Sequence, residues 1–218
     1  MVLLSLLLFL LLRVFVVEAF TIPTSSMERT LLVGDFLLVN KILYGPRVPG
    51  TDIHLPALTK PERGDVVVFR PPHDPLRNYV KRIVGVPGDT LSMRNKTLVL
   101  NGVPRDEPYA RHLGGRGDAA HPGMRWQSDH LVARGRRGHA YVPSRDNWGP
   151  IVIPEERYFV LGDNRDNSED SRYWGFVDRE TIRGRPWMVY FSVKAESTAS
   201  TSGLLRRIRW GRIGHVIR

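Results

Sequence analysis

Apolar residues crowd the first twenty positions of the chain and thereafter fall into short runs. Met1–Phe20 is nearly all Leu, Val and Phe, interrupted by Ser5, Arg13 and Glu18. At about 1.5 Å per residue a helix of that length comes close to a ~30 Å hydrocarbon layer. Residues 1–20 therefore read as one N-terminal transmembrane helix, with Arg13 snorkelling or facing protein. A removable secretory leader would open on basic residues and close on a small-x-small site. This segment opens without Lys or Arg and continues Val-Glu-Ala-Phe-Thr-Ile-Pro, so an uncleaved anchor is expected. Beyond it, the β-rich runs Phe36–Val39, Asp65–Arg70, Tyr79–Val86, Thr97–Leu100, Tyr158–Leu161 and Trp187–Val193 are separated by turn residues such as Gly34-Asp35, Gly64-Asp65 and Pro87-Gly88-Asp89. That spacing predicts a mainly β, antiparallel domain with little helix.

The pattern divides the chain. Residues 21–100 and 151–195 carry the two parts of the β core. Residues 101–150, rich in Gly, Arg, His and Asp and poor in strand pattern, read as an inserted loop/β region. Residues 196–203, Glu-Ser-Thr-Ala-Ser-Thr-Ser-Gly, have the composition of a flexible linker. Residues 204–218 form a basic tail in which Trp210 and several aliphatic residues alternate with Arg206, Arg207, Arg209, Arg212 and Arg218. Its composition suits a membrane interface, but its apolar positions make neither a helical stripe nor a strand alternation. Surface association and a packed terminus both stand.

Composition removes several chemistries. The 218 residues include no cysteine, which excludes disulfides, thiolate zinc sites and a thiol nucleophile. The net charge of +10 is an arginine excess spread along the chain rather than gathered in a block. Diffuse basicity favours an acidic surface such as anionic lipid over nucleic acid. His112, His121, His130 and His139 recur in the insertion without carboxylates or thiols at ligand spacing, so no metal site is expected.

Three clusters carry candidate chemistry. Ile22-Pro23-Thr24-Ser25-Ser26-Met27 sets three hydroxyls in a row just past the anchor; taken alone, such a run is a turn or a cap. There is no G-x-S-x-G elbow, and nothing pairs a histidine with an aspartate, so a base must come from elsewhere. The chain has five lysines. Lys60 precedes a proline, Lys96 sits in a hairpin turn, and Lys194 closes a strand, which leaves Lys41 and Lys81. In Tyr79-Val80-Lys81-Arg82-Ile83-Val84, alternation puts Lys81 on a face with Tyr79 and Ile83, where burial would lower its pKa. On pattern alone it also reads as a snorkelling strand lysine. The third cluster, Gly162–Gly175, is dense in oxygen donors, among them Asp163, Asp166, Asn167 and Asp170. It lacks the Gly and Glu positions of an EF-hand, and Arg165 and Arg172 would repel a cation.

In this order after an N-terminal apolar segment, the clusters resemble the signature boxes of bacterial type I signal peptidases: Ile22–Asp35, Tyr79–Asp89 with its Lys-Arg and Val-Pro-Gly-Asp, and Gly162–Gly175. The resemblance covers Val14–Ser92 and Ile151–Phe191. It implies a membrane-bound serine endopeptidase with Ser26 as nucleophile and Lys81 as general base. The Thr24 hydroxyl and the Ser26 N–H would form the oxyanion hole, and Ser168 would orient the lysine. Arg82 with Asp163, and Asp170 with Arg172, would be supporting ion pairs, and Met27 would line the substrate cleft. It further implies signal-peptide-bearing preproteins with small residues before the cleavage site as substrates, no cofactor, and a place in the bacterial cytoplasmic membrane with the catalytic domain outside. Arg29 stands where the family usually has proline, a departure expected to loosen the segment after Ser26. Self-cleaving repressors, which also use a Ser/Lys pair, and a catalytically silent tethered binder are the competing readings. The anchor counts against the first, and intact Ser26, Lys81 and Ser168 count against the second.

Overall fold

The computed structural model describes residues 2, 4–6, 13, 16–46, 48, 51, 53, 55–114, 117–132, 141–194 and 207–218. The strands among them form two sheets in which every pairing is antiparallel. The larger sheet runs β1 (Val17–Thr21), β2 (Asp35–Asn40), β11 (Ile182–Ser192), β3 (Val66–Phe69), β4 (Tyr79–Gly85), β9 (Arg157–Leu161), β10 (Val177–Asp178). The smaller runs β7 (Val103–Pro104), β6 (Thr97–Leu100), β5 (Thr90–Arg94), β8 (Trp148–Val152).

β3 shows why these residues form strands. Val66, Val67, Val68 and Phe69 are all buried, and their alternation sends them to two different cores. Val66 and Val68 pack with Leu37, Val39 and Val189, whereas Val67 and Phe69 pack with Ile83, Tyr158 and Val160. β9 divides in the same way: Tyr158 and Val160 join that second core, and Phe159 and Leu161 join a third beneath the small sheet. A β-branched run with both faces covered makes a strand of a sequence too short for a stable helix. Each such side chain contributes about 1.5–3 kcal/mol of burial. At the Gly34 turn φ is +85°, and a Cβ there would fall 2.0 Å from the Val193 carbonyl oxygen, so only glycine lets this turn lie against the end of β11.

The structure corrects the expected boundaries in three places. The anchor does not remain helical to residue 20. Residues 2 and 4–6 are helical, but Val17–Thr21 is an edge strand in register with Phe36–Asn40. As a strand it pairs the free edge of β2, packs Phe20 on the core and brings Glu18 to 3.4 Å from the Lys41 amine, where a helix in lipid would leave that carboxylate unpaired. No helix among the described residues is long and apolar enough to cross a membrane, and most of residues 1–15 lie outside them. Second, the inserted loop/β region also holds a helix. It supplies β7, part of β8 and a 3-10 helix, Pro122–His130, whose Met124 packs with Trp148, Phe159 and Phe176 in the third core. Third, β11 begins at Ile182 rather than Trp187. The linker 196–203 lies outside the described residues. Residues 207–218 lie along β11.

Candidate active site

The chain leaves β1 through Pro23 and turns sharply. Thr24 is extended, with φ −127° and ψ 158°, and Ser25–Met27 form one 3-10 turn that carries Ser26. The Ile22 N–H donates to the Asp35 carbonyl and the Gly34 N–H to the Ile22 carbonyl, both at 2.9 Å, which ties the base of the turn to β2. Its crest is held from the third cluster. The Asn164 N–H donates to the Ser26 carbonyl at 3.0 Å, its side-chain amide donates to the Ser25 carbonyl at 3.1 Å, and the Asn167 amide donates to the Ser25 hydroxyl at 2.8 Å.

Lys81 lies in β4 opposite Val67 and is only 4% exposed. Its Nζ donates to Ser26 Oγ at 2.7 Å and to the Val80 carbonyl at 3.3 Å, and lies 5.7 Å from the centroid of the Tyr79 ring. Burial lowers its pKa to about 8; Asp170 pulls the other way, Arg172 adds to the lowering, and Asp163 and Glu169 raise it. Lys41 is elsewhere: its Nζ donates to the Arg13 carbonyl at 3.1 Å and pairs with Glu18. Of the two lysines the sequence left open, the fold brings Lys81 alone to the serine. Lys60 and Lys194 are exposed. Lys96 departs from the solvated turn lysine expected of it. Its Nζ sits 2.9 Å from Asp166 and 3.3 Å from Asp146, two acids remote from it in sequence.

Thr24 Oγ1 is 3.3 Å from Ser26 Oγ. Met27 is buried with Leu31 and Val66, and it also borders a cleft of about 350 Å³ between residues 20–27 and 77–81, closed by Asn167 and Glu169. The Asp163 carboxylate receives Arg82 through two bonds, Nε at 2.9 Å and Nη2 at 2.8 Å, with both side chains buried. Asp170 holds Arg172 in the same way at 2.7 and 2.8 Å. Burial would raise the Asp170 carboxyl, but the adjoining guanidinium more than offsets it and holds the pKa below the ordinary value. Ser168 is buried close to Ser26 but makes no hydrogen bond to Lys81; its hydroxyl has no partner of good geometry.

The geometry meets a consistent likeness. The family model for signal peptidase, peptidase S26, matches residues 1–191. The signal peptidase I of Pseudomonas aeruginosa is 41% identical over 196 residues, covering 84% of this chain and 68% of its own length. That of Aquifex aeolicus is 32% identical over 219 residues, covering 86% and 81%. A signal peptidase I of Enterococcus faecalis V583, known from a crystal structure, aligns at 30% identity over 59% of this chain and 98% of its own, with a TM-score of 0.40. The chain belongs to the signal peptidase family, peptidase S26. It is a serine endopeptidase that removes signal peptides.

Two residues of this signal peptidase site were quoted in the sequence only as members of a box. Gly162 is pressed between Ser26 and Ser168: a Cβ on it would fall 2.5 Å from the Ser26 carbonyl oxygen and 2.2 Å from Ser168 Oγ. Asn164 supplies both bonds that hold the Ser25–Ser26 backbone. A Gly-Asp-Asn directly after a buried strand was the only signal available. Arg29 occupies φ +110°, which proline cannot adopt. Arg29 donates to the Ala110 carbonyl at 3.1 Å, and Arg111 pairs with Glu28 at 3.0 Å, so the insertion grips the chain just beyond Ser26.

Proposed function

We propose that this signal peptidase acts through a Ser26/Lys81 dyad. The observation that carries the reading is the 2.7 Å contact between a buried, pKa-lowered amine and the Ser26 hydroxyl. With a pKa of about 8, about one amine in ten is neutral at pH 7, against about one in 2,500 for an ordinary lysine. In that form it accepts the Ser26 proton. Ser26 Oγ then attacks the peptide carbonyl, Lys81 passes the proton to the departing amine, and water hydrolyses the acyl-enzyme, with the proton route reversed. The Thr24 hydroxyl and the Ser26 N–H receive the oxyanion; one such donor is worth about 2.7–4 kcal/mol in the transition state. Ser168 orients Lys81; its buried hydroxyl lies beside the Ser26 turn, where a Cβ on Gly162 would meet both residues.

The substrate is an exported preprotein bound as an extended strand, its alternate side chains directed into the cleft. Phe20, Ile22, Met27 and Val80 give that cleft an apolar, shallow lining suited to Ala-x-Ala before the scissile bond. The apolar N-terminal segment anchors the enzyme in the bacterial cytoplasmic membrane, with the catalytic domain on the outer side. Cleavage of an Ala-x-Ala preprotein in detergent tests the reading. Ser26→Ala and Lys81→Met should abolish turnover in folded protein while Lys41→Ala retains it. Turnover by Ser26→Ala, or loss in Lys41→Ala with Lys81→Met still active, overturns the assignment.

A further inference from the structure

Residues 207–218 lie beyond the 1–191 span of the family match, yet they are stitched into the catalytic sheet. β2 occupies one side of β11 along Arg185–Ser192, and β3 occupies the other side only at Ile182 and Gly184. The tail takes the side that β3 leaves open. Met188 bridges Val216 and Val193 bridges Ile208, both antiparallel. The Val189 N–H donates to the His215 carbonyl at 2.9 Å, the Gly214 N–H to the Val189 carbonyl at 2.8 Å, and the Ile217 N–H to the Trp187 carbonyl at 2.9 Å.

Its inward contacts converge behind the nucleophile. Ile217, 4% exposed, joins the core that contains Ile22, Met27 and Leu31. Arg212 donates to the Thr30 carbonyl at 3.0 Å and pairs with the buried Asp35. The Arg218 carbonyl accepts from Arg82 Nη1 at 3.1 Å, on the guanidinium that holds Asp163 through its other nitrogens and reaches the Thr30 hydroxyl at 3.2 Å. The Thr30 hydroxyl in turn donates to Asp163. Asp163 sits between Gly162, pressed on the Ser26 carbonyl, and Asn164, bonded to it.

We propose that the 207–218 segment is a positioning element of the active site, with Arg212 and Ile217 setting the Ser26 turn against Lys81 through Thr30, Arg82 and Asp163. The inference rests on the Ser26/Lys81 reading above. None of these tail residues lines the cleft, so they act on the rate of the chemical step and not on substrate affinity. Sub-ångström displacement of a nucleophile from its base is enough to lower kcat strongly. A turn no longer backed by Ile217 also admits water towards the buried Lys81 amine, whose pKa is lowered chiefly by burial.

The test compares Ile217→Ala and Arg212→Gln with wild type in preprotein cleavage, at matched folded fractions read by near-ultraviolet circular dichroism. kcat should fall about tenfold or more with KM within about twofold. The acid limb of the pH–rate profile should move up by about half a unit as the amine is rehydrated. Ile217→Leu should restore both. If Ile217→Ala does not fold, Arg212→Gln carries the comparison. Wild-type kcat and an unmoved acid limb in the folded variants, or a loss confined to stability, overturn the inference. Ser26→Ala in the same assay separates the two claims: activity there sinks the dyad, whereas an inactive Ser26→Ala beside fully active tail variants sinks only the role of the tail.

Discussion

Replacing Lys81 by methionine removes the amine while keeping an unbranched side chain of similar length, and the consequence for stability follows from burial. The amine has a pKa of about 8 in the folded chain against an ordinary 10.5. At about 1.36 kcal/mol per unit, the folded state carries a penalty of about 3 kcal/mol while the group is charged in both states. The sign is fixed by proton count. Between pH 8 and 10.5 the unfolded chain binds more protons than the folded one, so wild-type stability rises with pH through that window. Below pH 8 the whole penalty is present. Lys81→Met should therefore be more stable than wild type by about 3 kcal/mol at pH 7, and this advantage should vanish by about pH 10.5, even though cleavage is abolished throughout. Urea unfolding of both proteins at pH 6, 7, 9 and 10.5 gives the comparison directly, because the other titrating groups cancel in the difference. A methionine variant less stable than wild type at pH 7, or a gap that does not change with pH, would refute the claim that desolvation prepares the base.

Gly162→Ala should lower kcat by about a hundredfold or more in protein that still folds, because the added methyl must displace the Ser26 carbonyl or the Ser168 hydroxyl; steady-state cleavage with a circular dichroism check measures it, and wild-type kcat would refute it. Asp166 is expected to govern acid stability. Burial would raise its carboxyl, but Lys96 and Arg145 bring it down to about 2, so the stability it confers is complete above about pH 4 and is lost as pH falls towards 2. Asp166→Asn should flatten the acid limb of urea-unfolding midpoints, and an unchanged limb counts against this account.

What the sequence disclosed depended on how local the cause was. β6 was read with its observed bounds, and β4 to within a residue, because short runs rich in strand-forming residues and bounded by turn residues mark strands locally. β1 was hidden at the end of an apolar segment whose period gives no sign of a change from helix to strand. β8 was missed because Trp-Gly-Pro-Ile-Val contains a turn dipeptide, and the start of β11 because Arg183, Arg185 and Pro186 break the apolar run. Within the site, residue pattern left Lys41 and Lys81 open and read the Ser26 run as a turn; the resemblance of the three boxes supplied the choice of Ser26 and Lys81. The partners of Lys96 and the bidentate Arg165–Glu107 pair, at 2.6 and 2.8 Å, join positions 50 or more residues apart, and no local pattern encodes them.

The buried ion pairs around Ser26 have a chemical consequence beyond holding the turn. As contributors to stability such pairs come close to break-even, because desolvating two ions offsets their attraction. As the proposed base, however, Lys81 needs a neutral surrounding. Asp170 is the largest influence raising its pKa, and an unpaired carboxylate there would keep the amine charged and useless as a base. Arg172, locked to that carboxylate at 2.7 Å, turns the charge into a short dipole whose two ends act on Lys81 with opposite sign. Asp163, which also raises the Lys81 pKa, is held by Arg82 through two bonds. Against the carboxylates that raise its pKa, burial is the largest influence on the amine, and it favours the neutral form. In the proposed mechanism the arginines of the second and third clusters take no part in the proton transfers; Arg172 acts by offsetting the carboxylate that raises the Lys81 pKa.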